Sequence, residues 1–368
     1  MKHFLITIMS ACIFLFAGQA AQSTPFTLNP SDTLPVRGFS IAAPMPSEVN
    51  AFVKFIKEEL APRNINTLIL RVDFNYQYES HPELREDTAL SKSDVKKIVA
   101  VCKQSGIHIV PQINLLGHQS WASKTGKLLA VYPQFDETPW VKMPEKYEWP
   151  NEDGLYCKSY CPLHPEVHKV VFDLMDEICD AFETDAFHAG MDEVFYIADS
   201  KCPRCSGHDP AELFAGEVSK IRNHLAEKGR HLWIWGDRLI DGKTTGMGRW
   251  EASMNNTFRA VDMIPKDVVI CDWHYERPDQ TAVYFATKGL SVVTCPFRDP
   301  KAALLQLDDM YKFRQNSTPE MKSRFLGIVS TAWSGAGAFL KEFYEKNPAE
   351  NADKNSVSNT LKSVFPKP

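Results

Sequence analysis

Long runs of one charge sign are missing from these 368 residues: 41 basic and 46 acidic side chains are interspersed, giving a formal charge of −5. Without a basic stripe the chain lacks the footprint that tracks phosphate backbones, which argues against nucleic acid as a partner. Beyond the first twenty residues no apolar stretch approaches the roughly 20 residues needed to cross a bilayer. No glycine-rich phosphate loop follows the first apolar strand, which argues against a doubly wound nucleotide-binding sheet.

What is present begins with an export pattern. Met1-Lys2-His3 precedes an apolar run from Phe4 to Phe16 and the small residues of Gly18-Gln19-Ala20, which together predict a cleaved signal peptide over residues 1–20. The expected location is periplasmic or secreted, with no stable membrane insertion after cleavage. Residues 21–36 read as a linker, 37–346 as one domain, and 347–368 as a tail without functional signal. A hydrophobic share of 44% is ample for a large core.

Within the domain, apolar strands alternate with amphipathic helical patterns. Strands are expected at Gly38 to Ala42, Thr67 to Phe74, His108 to Asn114, Ala186 to Gly190, His231 to Trp235, Val268 to Trp273, Ser291 to Cys295 and Gly327 to Trp333. Eight strands with helices between them predict an α/β fold, the (β/α)8 TIM barrel. The stretch 115–164 is too long for an ordinary loop and carries Trp121, Trp140, Tyr147, Trp149, Tyr156 and Tyr160, an aromatic supply suited to sugar rings.

Barrel catalysts sit at the carboxyl ends of strands, and Asp192-Glu193 directly follows the fourth. The run His188-Ala189-Gly190-Met191-Asp192-Glu193-Val194 resembles the signature of glycoside hydrolase family 20, the β-N-acetylhexosaminidases. Arg37-Gly38, the run from Val110 to His118, and Ala332-Trp333-Ser334 fit the same family in the same order. The resemblance implies that Glu193 protonates the leaving glycosidic oxygen while Asp192 orients the substrate's acetamido group, whose carbonyl oxygen is the nucleophile. It further implies retained configuration, a terminal β-linked N-acetylhexosamine on a glycan or glycoconjugate as substrate, and no catalytic cofactor. Arg37 would hold sugar hydroxyls and Trp333 would floor the acetamido-bearing ring. His118, His188, Trp235, Asp237, Trp273 and Tyr275 complete the expected binding set, Tyr275 reaching the acetamido oxygen; Glu251 reads as structural.

The pattern also departs from the family. Asn114 stands where members usually carry the aspartate that backs the histidine, Met191 replaces a usual glycine, Gln112 replaces a common glutamate, and the small accessory domain before the barrel is lacking. Two other readings therefore stay open: a barrel glycosidase using a distant second carboxylate such as Asp237 or Asp272, and a glycan-binding relative without turnover. The spacings Cys157-x3-Cys161 and Cys202-x2-Cys205 predict either a four-thiolate structural zinc site or disulfides tying the two loops. Cys102, Cys179, Cys271 and Cys295 read as buried apolar thiols. Nothing in the sequence sets an oligomeric state.

Overall fold

The computed structural model describes residues 33–146, 157–345 and 355–368. The predicted signal peptide and Tyr147, Trp149 and Tyr156 lie outside the described residues. Eight parallel strands, β1 (Val36–Ala42), β2 (Thr67–Arg71), β3 (His108–Leu115), β4 (Ala186–Gly190), β5 (His231–Trp235), β6 (Val269–Asp272), β7 (Ser291–Thr294) and β8 (Phe325–Thr331), close into a barrel in sequential order, β8 pairing with β1. The expected TIM barrel is thus the fold.

Strand alternation divides the core in two. Val36, Ile69, Val110, Ala186, Trp233, Cys271, Val293 and Val329 fill the barrel interior, while Phe39, Leu68, Ile113, Phe187 and Ile328 face outward to the helices. Those helices include α1 (Val49–Phe55), α2 (Lys92–Gln104), α3 (Val167–Phe182), α4 (Pro210–Glu227), α5 (Thr281–Thr287), α6 (Pro300–Asn316) and α7 (Ala336–Glu345). Their sequences carry their own start signals: the Ser91 hydroxyl accepts from the Asp94 N–H, and Asp209 and Asp299 cap helices that open on proline. Apolar residues at helical spacing, such as Val167, Val170, Val171, Leu174 and Ile178 in α3, supply the buried faces.

The stretch expected to be a featureless tail contains a further helix, α8 (Val357–Val364). Leu361, Val364 and Phe365 are buried, and the buried Arg63 donates to the Phe365 carbonyl at 2.7 Å, so this segment is part of the packed body. Gly327 allows β8 to close against β1: at φ +147° a Cβ there would stand 1.9 Å from the Val36 carbonyl oxygen.

Candidate active site

The alternation that fills the barrel also fixes what its mouth presents. Continuing the inward parity past the ends of the strands reaches Arg71 and Asp73 from β2, Asn114 from β3, Asp192 from β4, Asp237 from β5, Trp273 and Tyr275 from β6, and Trp333 from β8. Arg71 lies beside Gln112 in the sheet, and Gln112 beside His188.

His118 ties the carboxylates together. Its Nε2 lies 3.1 Å from Asp192 Oδ2 and 3.3 Å from Glu193 Oε2, and its Nδ1 lies 3.2 Å from the Cys157 sulfur. The Cys157 thiol donates in turn to Glu193 Oε2 at 3.5 Å. Burial works against a charge on His118, but Asp192 and Cys157 outweigh it and push the imidazole well above its usual value. Burial likewise opposes the Asp192 charge, and the facing His118 holds that carboxyl below the usual range. Each group thus favours the charged form of the other. Burial pushes Cys157 up to about 12 despite His118, so it stays a thiol able to donate. Asp192 Oδ1 is buried and has no hydrogen-bond partner on any other residue among those described.

Asp73 stands behind this group. Its carboxylate accepts from the Asn114 backbone N–H at 2.8 Å and from Asn114 Nδ2 at 3.3 Å, while Gln112 Nε2 donates to Asn114 Oδ1 at 2.8 Å. A carboxyl group thus stands one strand away behind Asn114, on a residue the sequence analysis did not single out, and burial raises it above the usual carboxylate value. Several of these residues need left-handed backbone: Asp73, Leu116, His118, Met191 and Glu193 have φ between 48° and 68°. Gly190 shares that conformation at φ +68°, and a Cβ there would meet Asn114 Oδ1 at 2.6 Å. The residue after it, Met191, takes φ 68° in spite of its side chain, which is why a glycine suits that place.

Asp237 holds the loop that carries Glu193. Its Oδ2 accepts from the Glu193 N–H at 2.9 Å and from Arg238 Nε at 2.6 Å, and its Oδ1 accepts from Trp273 Nε1 at 3.3 Å. Burial raises its carboxyl to about 6 against the pull of Arg238. Arg238 is fully buried and donates onward to the carbonyls of Arg249 and Ala252, both at 2.6 Å. Asp272 is engaged as well, with His274 Nε2 at 3.1 Å and the Thr281 hydroxyl at 2.7 Å, and Glu251 binds His274 Nδ1 at 2.7 Å.

Aromatic rings line the mouth. The Trp333 ring packs 5.3 Å from that of Trp235 and carries the Arg71 guanidinium 5.4 Å from its centroid, while Tyr275 packs 5.0 Å from Trp273. The Tyr275 phenol is raised by burial and by the charges of Glu193 and Asp192.

Asp192, Glu193, His118, Asp237, Trp273, Tyr275 and Trp333 are thus brought together, and Cys157, Arg71 and Asp73 join them unforeseen. Arg37 is not among them. It follows inward-facing Val36 and so points outward, at the amino-terminal foot of β1, where it donates to the carbonyls of Asn64 and Leu34. His188 and Trp235 have no exposed surface and pack 4.6 Å apart, Trp235 lying against Trp333. A surface hollow lined by His108, Asp180, Glu183, Thr184, Asp185 and Arg230 lies at the opposite, amino-terminal end of the strands. The predicted four-thiolate set also divides: Cys157 belongs to His118, and Glu137 takes its place beside Cys161, Cys202 and Cys205. The eight cysteines from Cys102 to Cys295 are free and buried, without disulfides. Of the loop aromatics, Tyr160 is fully buried with its hydroxyl on Glu217, and Trp121 is exposed.

Residues 72–337 match the model of the glycosyl hydrolase family 20 catalytic domain. The chain belongs to glycosyl hydrolase family 20. Within that family it is 22% identical over 314 residues to a β-hexosaminidase of Emericella nidulans, a match covering 78% of this chain and 47% of that one. It is 32% identical over 152 residues to a β-hexosaminidase of Akkermansia muciniphila, covering 39% of this chain and 29% of the other. The chain therefore spans half or less of the length of these curated relatives. Among solved structures it is similar in fold to the Flavobacterium johnsoniae chitobiase, with a TM-score of 0.62 at 18% identity, covering 90% of this chain and 48% of that one. The likeness to Dispersin B covers 91% and 99% of the two chains, at a TM-score of 0.53 and 16% identity.

Proposed function

We propose that this protein is an exported, retaining exo-glycosidase that removes terminal β-linked N-acetylhexosamine from glycans by substrate-assisted catalysis. The observation that carries the reading is the Asp192 carboxylate: one oxygen is paired with His118, and the other is buried with no partner on any other described residue, next to Glu193 in the chain. A buried acceptor left unpaired is costly, and a substrate acetamido N–H is the group that would satisfy it. The acetamido carbonyl oxygen then attacks the anomeric carbon as the glycosidic bond breaks. Glu193 gives its proton to the leaving oxygen, and an oxazolinium forms. Glu193 next takes a proton from water, which opens the oxazolinium with retention of configuration. His118 and Cys157 aim Glu193, Trp333 floors the sugar, and Arg71 grips its hydroxyls. The engagement of Asp237 with Arg238 and of Asp272 with His274 weighs against a mechanism that needs a distant second carboxylate.

Release of chromophore from aryl N-acetyl-β-glucosaminide and aryl N-acetyl-β-galactosaminide tests the proposal, with Glu193→Gln and Asp192→Asn alongside the wild type. Turnover abolished by both substitutions is the expected result. Sugar binding without turnover in the wild type would replace it with a glycan-binding reading. Export is tested by N-terminal sequencing of the mature protein, expected to begin near residue 21.

A further inference from the structure

A second cluster of chemically able side chains lies outside the candidate active site. Glu137 and Cys161 come from the long loop after β3, and Cys202 and Cys205 from the loop after β4. All four are buried, and one candidate ligand atom from each lies within 4.8 Å of every other. The backbone builds the group deliberately: the Glu137 N–H donates to the Ser159 carbonyl at 3.0 Å and the Cys161 N–H to the Phe135 carbonyl at 2.7 Å, which sets Glu137 beside Cys161. Cys202-Pro203-Arg204-Cys205 then curls into a knuckle closed by the Ser206 N–H on the Cys202 carbonyl at 3.0 Å.

Two features speak for a metal ion rather than a disulfide. The Cys161 sulfur lies 3.4 Å from that of Cys205 and 3.7 Å from that of Cys202. Thiolates about 2.3 Å from a tetrahedral zinc ion stand roughly 3.8 Å apart, whereas a disulfide requires about 2.05 Å. A disulfide would also join only two of the three sulfurs, stranding the third thiol and the carboxylate. Glu137 supplies the second, independent observation. It has no exposed surface; its Oε1 accepts from the Asp199 N–H at 3.1 Å, while its buried Oε2 takes no backbone N–H among the described residues and the carboxylate is left to face the Cys202 and Cys205 thiols. A divalent cation would complete it. Backbone N–H groups already point at the sulfurs, that of Cys205 at Cys202 Sγ, 3.4 Å away, and that of Leu163 at Cys161, the arrangement that steadies thiolates around zinc.

We propose that Glu137, Cys161, Cys202 and Cys205 bind one structural zinc ion that clamps the loop after β3 to the loop after β4. Four protein ligands and full burial leave no open position for substrate, so the site is structural. Its role follows from the chain path: Cys157 lies four residues before Cys161, and Glu193 lies nine before Cys202. The clamp fixes both approaches to the general acid while standing apart from the sugar. The other two groups of metal-ligating side chains among the described residues carry less: His118, Cys157 and Glu193 belong to the candidate active site, and His274 is already held between Glu251 and Asp272.

The test is metal content of the untagged full chain by elemental analysis, with intact mass under non-reducing conditions. The expected result is about one zinc per chain, retained by Cys157→Ser and lost from Cys202→Ser. Since the cysteine variants can fail to fold, Glu137→Gln, which keeps the shape, provides a second arm: zinc affinity should fall by about tenfold or more with circular dichroism unchanged. Cobalt exchange should give thiolate-to-metal charge-transfer and tetrahedral ligand-field bands in the wild type. Folded protein free of metal that takes up neither zinc nor cobalt, or a mass two hydrogens lighter from a bond between two of the three cysteines, would overturn the proposal. So would zinc that is lost from Cys157→Ser but kept by Cys202→Ser.

Discussion

Arg71 and Arg37 give a paired experiment on how the barrel presents its ligands. Arg71 lies at the carboxyl end of β2, donates to the Trp333 carbonyl at 3.2 Å, and carries its guanidinium over the Trp333 ring. If it also grips a substrate hydroxyl, that charge-assisted hydrogen bond contributes about 1.5–3 kcal/mol. At 1.36 kcal/mol per decade, Arg71→Ala should lower kcat/KM by roughly 10- to 150-fold. Arg71→Lys keeps the charge but loses the planar fork, and should fall between. Arg37→Ala removes two hydrogen bonds at the foot of the barrel and should leave kcat/KM within about twofold. Steady-state hydrolysis of the aryl glycosides, with thermal melts to confirm folding, reads all three. A folded Arg71→Ala enzyme of wild-type efficiency, or a large loss in Arg37→Ala alone, would refute the reasoning.

Other outcomes follow from the same contacts. His274 is held by Asp272 and Glu251 against the cost of burial, at about 10 instead of 6.5. The folded chain thus binds an extra proton between those values, so this contribution to stability is complete below pH 6.5 and lost as pH rises through 10, by up to about 1.4 kcal/mol per unit. Urea midpoints should decline over that window, and His274→Gln should flatten the decline. Asp237→Ala leaves Arg238 buried without its partner and should cost about 3–5 kcal/mol in denaturant unfolding, with activity lost through the freed Glu193 backbone. Gly190→Ala forces a left-handed alanine against Asn114 and should cost at least about 1 kcal/mol, with a fall in kcat greater than any change in KM.

The barrel was legible because eight apolar strands alternate with helices over most of the chain, and each expected strand lies within a few residues of an observed one. The acidic pair was legible because it abuts a strand. Parity was the signal left unused. Counting by twos from Val36 places Arg37 outside, and counting by twos from Ile69 reaches Arg71 and Asp73 at the mouth. The loops were harder, because no periodicity encodes where a fifty-residue excursion returns. Cysteine spacing grouped Cys157 with Cys161, yet the chain turns between them so that one sulfur meets His118 and the other meets Cys205. Glu137 carried no spacing signal at all. Resemblance misassigned Arg37 for a related reason: it matched residue types along the chain without asking which face of the strand each would occupy.

The left-handed backbone of Asp73, Leu116, His118, Met191 and Glu193 bears on how this protein could be improved. At about 1 kcal/mol for each side chain so placed, the five together hold roughly 5 kcal/mol, comparable with the net stability of many domains. A search for sturdier variants that scored folding alone would be drawn first to these positions, exchanging them for glycine and relaxing the rim. It would be selecting against the directions in which the histidine and carboxylates point. Robustness in this barrel is better sought at its foot, where α8 and the strand beginnings carry no chemistry.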